Sequence, residues 1–293
     1  MNSLVGFVIL HYRDRAVTDL CVQSILKMKD KECCRIIVVD NDVHRDTEER
    51  KILTDMYHDV ENLHVIQIME DKGFSYANNR GYEYARQIGC EYIVVCNNDI
   101  EFQQPDFISR IKEDYETYGY GILGPDVIHS KTGEHQNPID RRIRTEKEVN
   151  NTIRLNKTAL KYYELCYPLL LLWDSWNDKN RRKNKNADKL YYETLQVDSI
   201  PFGACLIYSP SYVKERDKAF WPETRFYYEE YILGYQCQKY GYRTVYDPKI
   251  KVFHETGAAT KKPFRDKKKR MKFLLEQTLH SCNIYLDLIQ KDR

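Results

Sequence analysis

Apolar residues along the first 130 positions alternate between two spacings. Short β-branched runs at 4–11 (LVGFVILH), 34–40 (CRIIVVD), 63–68 (LHVIQI) and 91–96 (EYIVVC) are apolar almost throughout. That is the pattern of strands buried on both faces. Between them, 17–29, 46–58 and 76–88 carry apolar residues at helical spacing, with Leu20, Ile25 and Leu26 on one side of the first. A further helix is predicted over 106–118, where Pro105 and Asp106 suit a helix start. Strands alternating with helices predict βαβ units around a mostly parallel central sheet, an α/β fold.

The texture changes over 140–196. Charged helical stretches (TEKEVNNTIRLNKTALKYYEL) lead into apolar Tyr167–Trp173 (YPLLLLW) and then basic Lys179–Lys185 (KNRRKNK). This block reads as a helical insertion or lid within a domain spanning 1–263. Downstream, the pattern predicts a strand at 197–208, a helix at 229–240 and short strands near 243–253. A C-terminal basic amphipathic helix over 264–293 follows.

Composition narrows the class. With 42% hydrophobic and 31% charged residues among 293, the chain is globular and long enough for a sizeable core. Lys+Arg 46 against Asp+Glu 44 leaves a net charge of +2, too small a basic excess for a general nucleic-acid binder. The small total is a cancellation: 40–71 holds ten acids and three bases, while 261–272 holds eight bases and one acid. Residues 4–10 are apolar, but His11, Arg13, Asp14 and Arg15 follow at once and no basic segment precedes, so they make a poor signal peptide. Tyr167–Trp173 falls far short of the roughly 20 residues that span a bilayer. Nine cysteines without a CxxC pair read as reduced core thiols. A cytoplasmic protein is expected.

Several nucleotide sites are excluded. The loop after the first strand, HYRDRA, has no glycine, so the dinucleotide fingerprint fails where it should sit. Neither a GxxxxGK[ST] phosphate loop nor a GxSxG elbow occurs. What remains is a set of polar residues at strand carboxyl ends, where open α/β sheets bind ligands. These are His11 and Tyr12, then Asp40, Asn41 and Asp42, then Asn97, Asn98 and Asp99. Asp40 can accept from a base or ribose, Tyr12 offers a stacking face, and Asp99 is a hard ligand of the kind Mg²⁺ or Mn²⁺ prefers. Asn and Asp also favour turns, so each alone supports either reading. Three strand ends together favour a site.

These residues carry a family resemblance. The first strand, VVDN (38–41), DKGFSYANNRGYEYA (71–85) and YIVVCNNDIEF (92–102) occur in order with PFGACLIYSP (201–210), RFYYEEYILGYQCQKYGY (225–242) and VFHETGAAT (252–260). The set resembles the inverting family 2 glycosyltransferases of the GT-A fold over most of the chain. GPDVIHSKTGEHQNP (124–138) further resembles the branch that builds bacterial capsule and exopolysaccharide repeats. The resemblance implies that Asn97-Asn98-Asp99 stands for the DxD motif, with Asp99 contacting a divalent metal (Mn²⁺ or Mg²⁺) and Asn97 replacing the first Asp. By the same likeness Asp40 contacts the nucleotide base. Tyr12, Asn41, Gly73, Asn78, Asn79 and Arg80 line the nucleotide and diphosphate pocket, and His254 is a second metal ligand. Gly203 and Ala204 form a small-residue step beside the donor sugar, though small residues also suit tight strand packing.

Glu229 and Glu230 match the family's Glu-Asp pair, whose second member is the catalytic base. A carboxylate suits an acceptor hydroxyl that must lose its proton as it attacks. Acids in a first helical turn also satisfy the helix dipole, so the pair admits both accounts. The aromatics Phe226, Tyr227 and Tyr228 fit sugar faces or a core equally.

The implied partners are a nucleotide diphosphate sugar, with UDP- or dTDP-sugars favoured, and a glycan or lipid-linked glycan acceptor. Nucleic acid is not expected. The basic C-terminal helix, assisted by Tyr167–Trp173, predicts peripheral contact with an anionic membrane at the inner face of the plasma membrane. A sugar nucleotidyltransferase is the rival within the same fold, but it ordinarily needs a Gly-rich basic loop after the first strand. A non-catalytic nucleotide-sugar sensor is the rival outside catalysis.

Overall fold

The alternating periodicity becomes β1 (Val5–His11), α1 (Arg15–Leu26), β2 (Cys34–Asp40), α2 (Thr47–Met56), β3 (Leu63–Gln67), α3 (Phe74–Gln87) and β4 (Tyr92–Asn97). The computed structural model describes residues 3–43, 47–187, 189–255 and 266–292. The end of the VFHETGAAT motif, 256–260, and the start of the predicted basic run, 261–265, lie outside the described residues. Strands β3, β2, β1 and β4 pair in parallel in that order, and nearly every residue of β1, β2 and β4 is buried. This satisfies the backbone of segments with no polar face to offer water. Their carboxyl ends lie at one edge, ahead of α1 and α3.

Beyond β4 come β5 (Ile100–Glu101), α4 (Phe107–Tyr118) and β6 (Tyr120–His129). The insertion follows as α5 (Glu146–Lys161), α6 (Tyr163–Ala187) and α7 (Lys189–Glu193). The chain returns through β7 (Gln196–Val197), β8 (Cys205–Tyr208), α8 (Pro210–Glu215), α9 (Glu229–Tyr240), β9 (Arg243–His254) and α10 (Lys267–Lys291). The sheet runs β3-β2-β1-β4-β8-β6-β9-β5, with β7 on β9.

The α/β class stands, with the longer pairings parallel and the shorter ones antiparallel. β8 runs antiparallel to both β4 and β6, and β5 and β7 run antiparallel to β9. The predicted strand at 197–208 is two strands, because Asp198 takes a positive φ of 60° and 198–204 leaves the ladder. β6 went unrecognised in the sequence, since Gly121, Gly124 and Pro125 interrupt its apolar run. It pairs with β9, a single strand of 12 residues where short pieces were predicted.

Two apolar cores cover the faces of the sheet, one centred on Phe7, Phe107 and Tyr120, the other on Tyr82, Ile93 and Tyr208. A third joins Val149 and Ile153 of α5, Ile232 of α9, and Cys282 and Tyr285 of α10. The apolar face predicted to meet a membrane from the C-terminal helix is thus spent inside the protein. Tyr285 donates to the Arg144 carbonyl at 3.0 Å, Ser281 donates to the Phe226 carbonyl at 3.0 Å, and Lys239 pairs with Asp292. All nine cysteines are free thiols and eight are buried. No described helix is long and apolar enough to cross a membrane.

Candidate active site

Short β5 brings the first pair of candidate residues together. It pairs antiparallel with the end of β9, Ile100 opposite His254, and the Glu255 amide donates to the Asp99 carbonyl at 3.0 Å. Asp99 Oδ1 and His254 Nε2 consequently lie 3.1 Å apart, both side chains almost wholly buried. That carboxylate oxygen nevertheless has no hydrogen-bond partner. A buried, unsatisfied carboxylate oxygen facing an imidazole nitrogen is costly unless a cation or proton sits between them. The donor set, one hard oxygen and one imidazole, suits a divalent ion such as Mn²⁺. Among the described residues no third His, Cys, Asp or Glu joins them.

On the other side of β1, the predicted nucleotide residues separate into three groups. Asn41 Oδ1, just past the end of β2, and Asn78 Oδ1, in α3, are buried acceptors without partners, like Asp99 Oδ1. Tyr12 is half-buried, with the Arg13 guanidinium 5.0 Å from its ring centroid. Asn97 joins the small-residue step, its amide donating to the Ala204 carbonyl at 3.0 Å.

A second group is buried in structural bonds. Asp40 is fully buried, accepts from the Asp42 amide, and is ion-paired with Arg50 Nε at 3.4 Å. Arg50 also donates to the Ile68 carbonyl at 2.7 Å, so α2 locks the end of β2. Asn98 donates to Thr18 Oγ1, which lies 2.6 Å from His11 Nδ1, behind the strand ends rather than at them. Asn79 makes three of its four possible bonds here: Oδ1 accepts from the Ala219 and Phe220 backbone amides and Nδ2 donates to the Phe220 carbonyl. It is a strut between α3 and the loop before α9. The third group is Arg80 alone, which is exposed on the outer face of α3 and pairs with Glu83.

Gly73 opens α3 with φ of +91°, and a Cβ there would meet the Arg225 carbonyl oxygen at 2.6 Å. The Phe74 amide donates to that carbonyl at 2.8 Å. This close approach ties the nucleotide edge to the segment leading into the acid pair. Tyr227 and Tyr228 follow with positive φ of 64° and 68°, costly for tyrosine, and deliver Glu229 and Glu230 into the first turn of α9. Phe226 packs on Phe273 of α10, and Tyr228 packs on Tyr285 at the margin of the third core.

Glu230 Oε1 accepts from the Gly203 amide at 3.2 Å, with the glycine leaving room for the carboxylate. Burial raises the pKa of Glu230 above the usual carboxylate range. Burial and then the Glu230 charge push Glu229 up to about 8. Burial and the neighbouring charge favour a proton on Glu229, while backbone amides hold down the pKa of both acids. The structure thus joins Asp99 with His254, Asn97 with Ala204, and Gly203 with Glu230. Arg50, Thr18 and Arg225 support these positions and were missed, since each reads in the sequence as an ordinary polar helix or loop residue.

Residues 7–180 match the family described as Glycosyl transferase family 2. The protein belongs to glycosyl transferase family 2. Among solved structures it is similar to TarS 1–349 of S. aureus, at 12% identity and a TM-score of 0.51, over 86% of this chain and 60% of that one. It is also similar to the mannosyltransferase PcManGT of Pyrobaculum calidifontis, solved with GDP-Man and Mn²⁺, at 12% identity and a TM-score of 0.50 over 96% of this chain and 71% of that one. GalNAc-T7, solved with UDP, GalNAc and Mn²⁺, matches at 14% identity and a TM-score of 0.54, over 86% and 44% of the two chains. The chain spans 60% of the TarS fragment, and these likenesses establish a shared fold. No curated protein matches the sequence.

Proposed function

We propose that this protein is a metal-dependent, inverting glycosyltransferase. It moves a sugar from a nucleotide diphosphate sugar, UDP- or dTDP-linked, to a hydroxyl of a lipid-linked or oligosaccharide acceptor in bacterial surface-polysaccharide synthesis. The observation that carries the reading is the 3.1 Å approach of Asp99 Oδ1 to His254 Nε2, at the carboxyl end of β4. Asp99 and His254 would hold the ion, which supplies positive charge against a leaving diphosphate. Asn41, Asn78, Asn97 and Tyr12 line the nucleotide side, and Asp40 shapes it through Arg50. Glu230 takes the acceptor proton as the hydroxyl oxygen attacks the anomeric carbon and the bond to the diphosphate oxygen breaks. One displacement inverts that centre. Residues 1–263 form the catalytic unit, with 140–196 as an insertion beside it and α10 bracing α9.

The reading makes a direct prediction. In a thermal-shift screen of UDP, dTDP and GDP with their sugars, one uridine or thymidine diphosphate raises Tm together with Mn²⁺ and by less without it, as mass action requires. No stabilisation by any nucleoside diphosphate, with or without metal, would reject the reading.

Peripheral membrane contact fits α6 better than α10. Leu165, Leu169, Leu172, Trp173 and Trp176 are 60% to 79% exposed. At about 100° per residue they share one stripe about 100° wide. α10 packs behind that stripe, where Tyr163 donates to the Lys268 carbonyl and Lys268 pairs with Glu164. The basic run Lys179–Lys185 continues the same helix in sequence, a combination suited to an anionic interface. It also opposes pairing of two copies along α6, which would juxtapose like charges or set them on apolar turns. Replacing Trp173 and Trp176 by Ser is expected to cut co-sedimentation with phosphatidylglycerol vesicles about tenfold or more, leaving transfer to a water-soluble acceptor unchanged. Equal sedimentation of variant and parent would remove α6 as the contact.

A further inference from the structure

The loop 129–138, between β6 and the insertion, reaches into the site. The Gln136 amide donates to the Val127 carbonyl at 2.8 Å, fixing the loop to its own strand. From there Gln136 Oε1 lies 2.6 Å from His254 Nδ1. The next residue, Asn137, is fully buried and grips Pro125 through Nδ2 while its Oδ1 accepts from the Phe202 amide at 2.9 Å. Phe202 precedes Gly203, whose amide binds Glu230.

Gln136 Oε1 can only accept, so the hydrogen on this contact comes from His254 Nδ1. A neutral imidazole carries one ring hydrogen, which leaves Nε2 with a bare lone pair. Nε2 then faces Asp99 Oδ1 at 3.1 Å, and that oxygen has no hydrogen-bond partner. We infer that Gln136 is a positioning residue: its side-chain oxygen selects the Nδ1–H tautomer of His254 and so aims a lone pair, not a proton, at the space shared with Asp99. This rests on the metal reading of His254 for its purpose, but not for its structural content. The adjacent Asn137 ties the same loop to Phe202, so one short segment sets both the imidazole and the backbone that carries Glu230.

The test is made on the full chain without ligand and then with Mn²⁺ and UDP. Long-range ¹H–¹⁵N spectra, with the His254 signals assigned by His254→Gln, report which ring nitrogen bears the hydrogen. The parent is expected to show a pyridine-type Nε2, as is Gln136→Glu, which retains an acceptor. Gln136→Leu is expected to move the hydrogen toward Nε2 and weaken Mn²⁺ binding by about 10- to 100-fold, read by electron paramagnetic resonance. Gln136→Leu with an unchanged Nε2 signal would overturn the inference whatever the metal does, provided thermal unfolding shows the variant folded. Undiminished Mn²⁺ binding by His254→Gln would instead overturn the metal reading of His254, and the tautomer result stands apart from it. Should Gln136→Leu not fold, Gln136→Met replaces it at closer volume.

Discussion

Asp99→Ala loses metal-dependent transfer, with kcat/KM falling on the order of 10³-fold, and keeps its fold. The loss is the several kcal/mol that a correctly held divalent ion contributes to charge on the leaving group. The fold survives because the side chain gives little to it. Asp99 Oδ1 makes no hydrogen bond, and the link from Asp99 to the end of β9 uses its backbone carbonyl, which alanine retains. Removing a buried carboxylate that faces an imidazole also relieves an unsatisfied charge. Transfer rates with and without Mn²⁺, alongside thermal unfolding of the metal-free proteins, check both halves. Full activity in the folded variant would reject Asp99 as the ligand.

Glu230→Gln lowers kcat by about 10²- to 10⁴-fold, the usual yield of a positioned base, with donor affinity little changed. The amide oxygen can still accept from the Gly203 amide, so geometry is conserved while the proton acceptor is lost. The same variant alters pH-dependent stability, and the sign is fixed. Glu229 has its pKa raised from 4.5 to about 8, first by burial and then by the Glu230 charge. The native state therefore holds a proton that the unfolded chain releases near 4.5, and stability drains away as pH rises between those values. Deleting the Glu230 charge lowers the Glu229 pKa and narrows that window. Above pH 8 the inactive variant is expected to melt several degrees higher than its parent, as calorimetry across pH would record. A variant that melts lower throughout would argue that the Glu230 carboxylate supports the fold.

The βαβ half was legible because its strands are buried on both faces and its helices are short and local. Even there helix phase was not: α1 buries Thr18, Cys21, Val22, Ser24 and Ile25, while Leu20 is exposed. Polar Thr18 and Ser24 face inward because His11, Asn98 and the Phe102 amide need partners. β6 was hidden by the glycines and proline that its close neighbours require. In the site, acids and amides at strand ends could be found by position, but not their division of labour. Asn78, Asn79 and Arg80 are consecutive, yet a helix turns each about 100° from the last. One is buried with an unpartnered side-chain oxygen, one is consumed by the Ala219–Phe220 backbone, and one meets solvent. Only the tertiary partner decides which. Gln136 was invisible for the same reason, its partner lying 118 positions away.

The bracing of α9 has a consequence for the order in which the molecule acquires its parts. β1 to β4 with α1 to α3 close through short connections, whereas α9 is seated by contacts such as Arg144 to Tyr231, which span 87 positions. Closing so long a span costs chain entropy before any contact repays it, so such contacts form late. A refolding chain therefore completes the half assigned to the nucleotide before it seats the half that carries the acids. For that interval the strand ends stand without His254 beside Asp99 and without the acids, and both arrive with the later half of the chain.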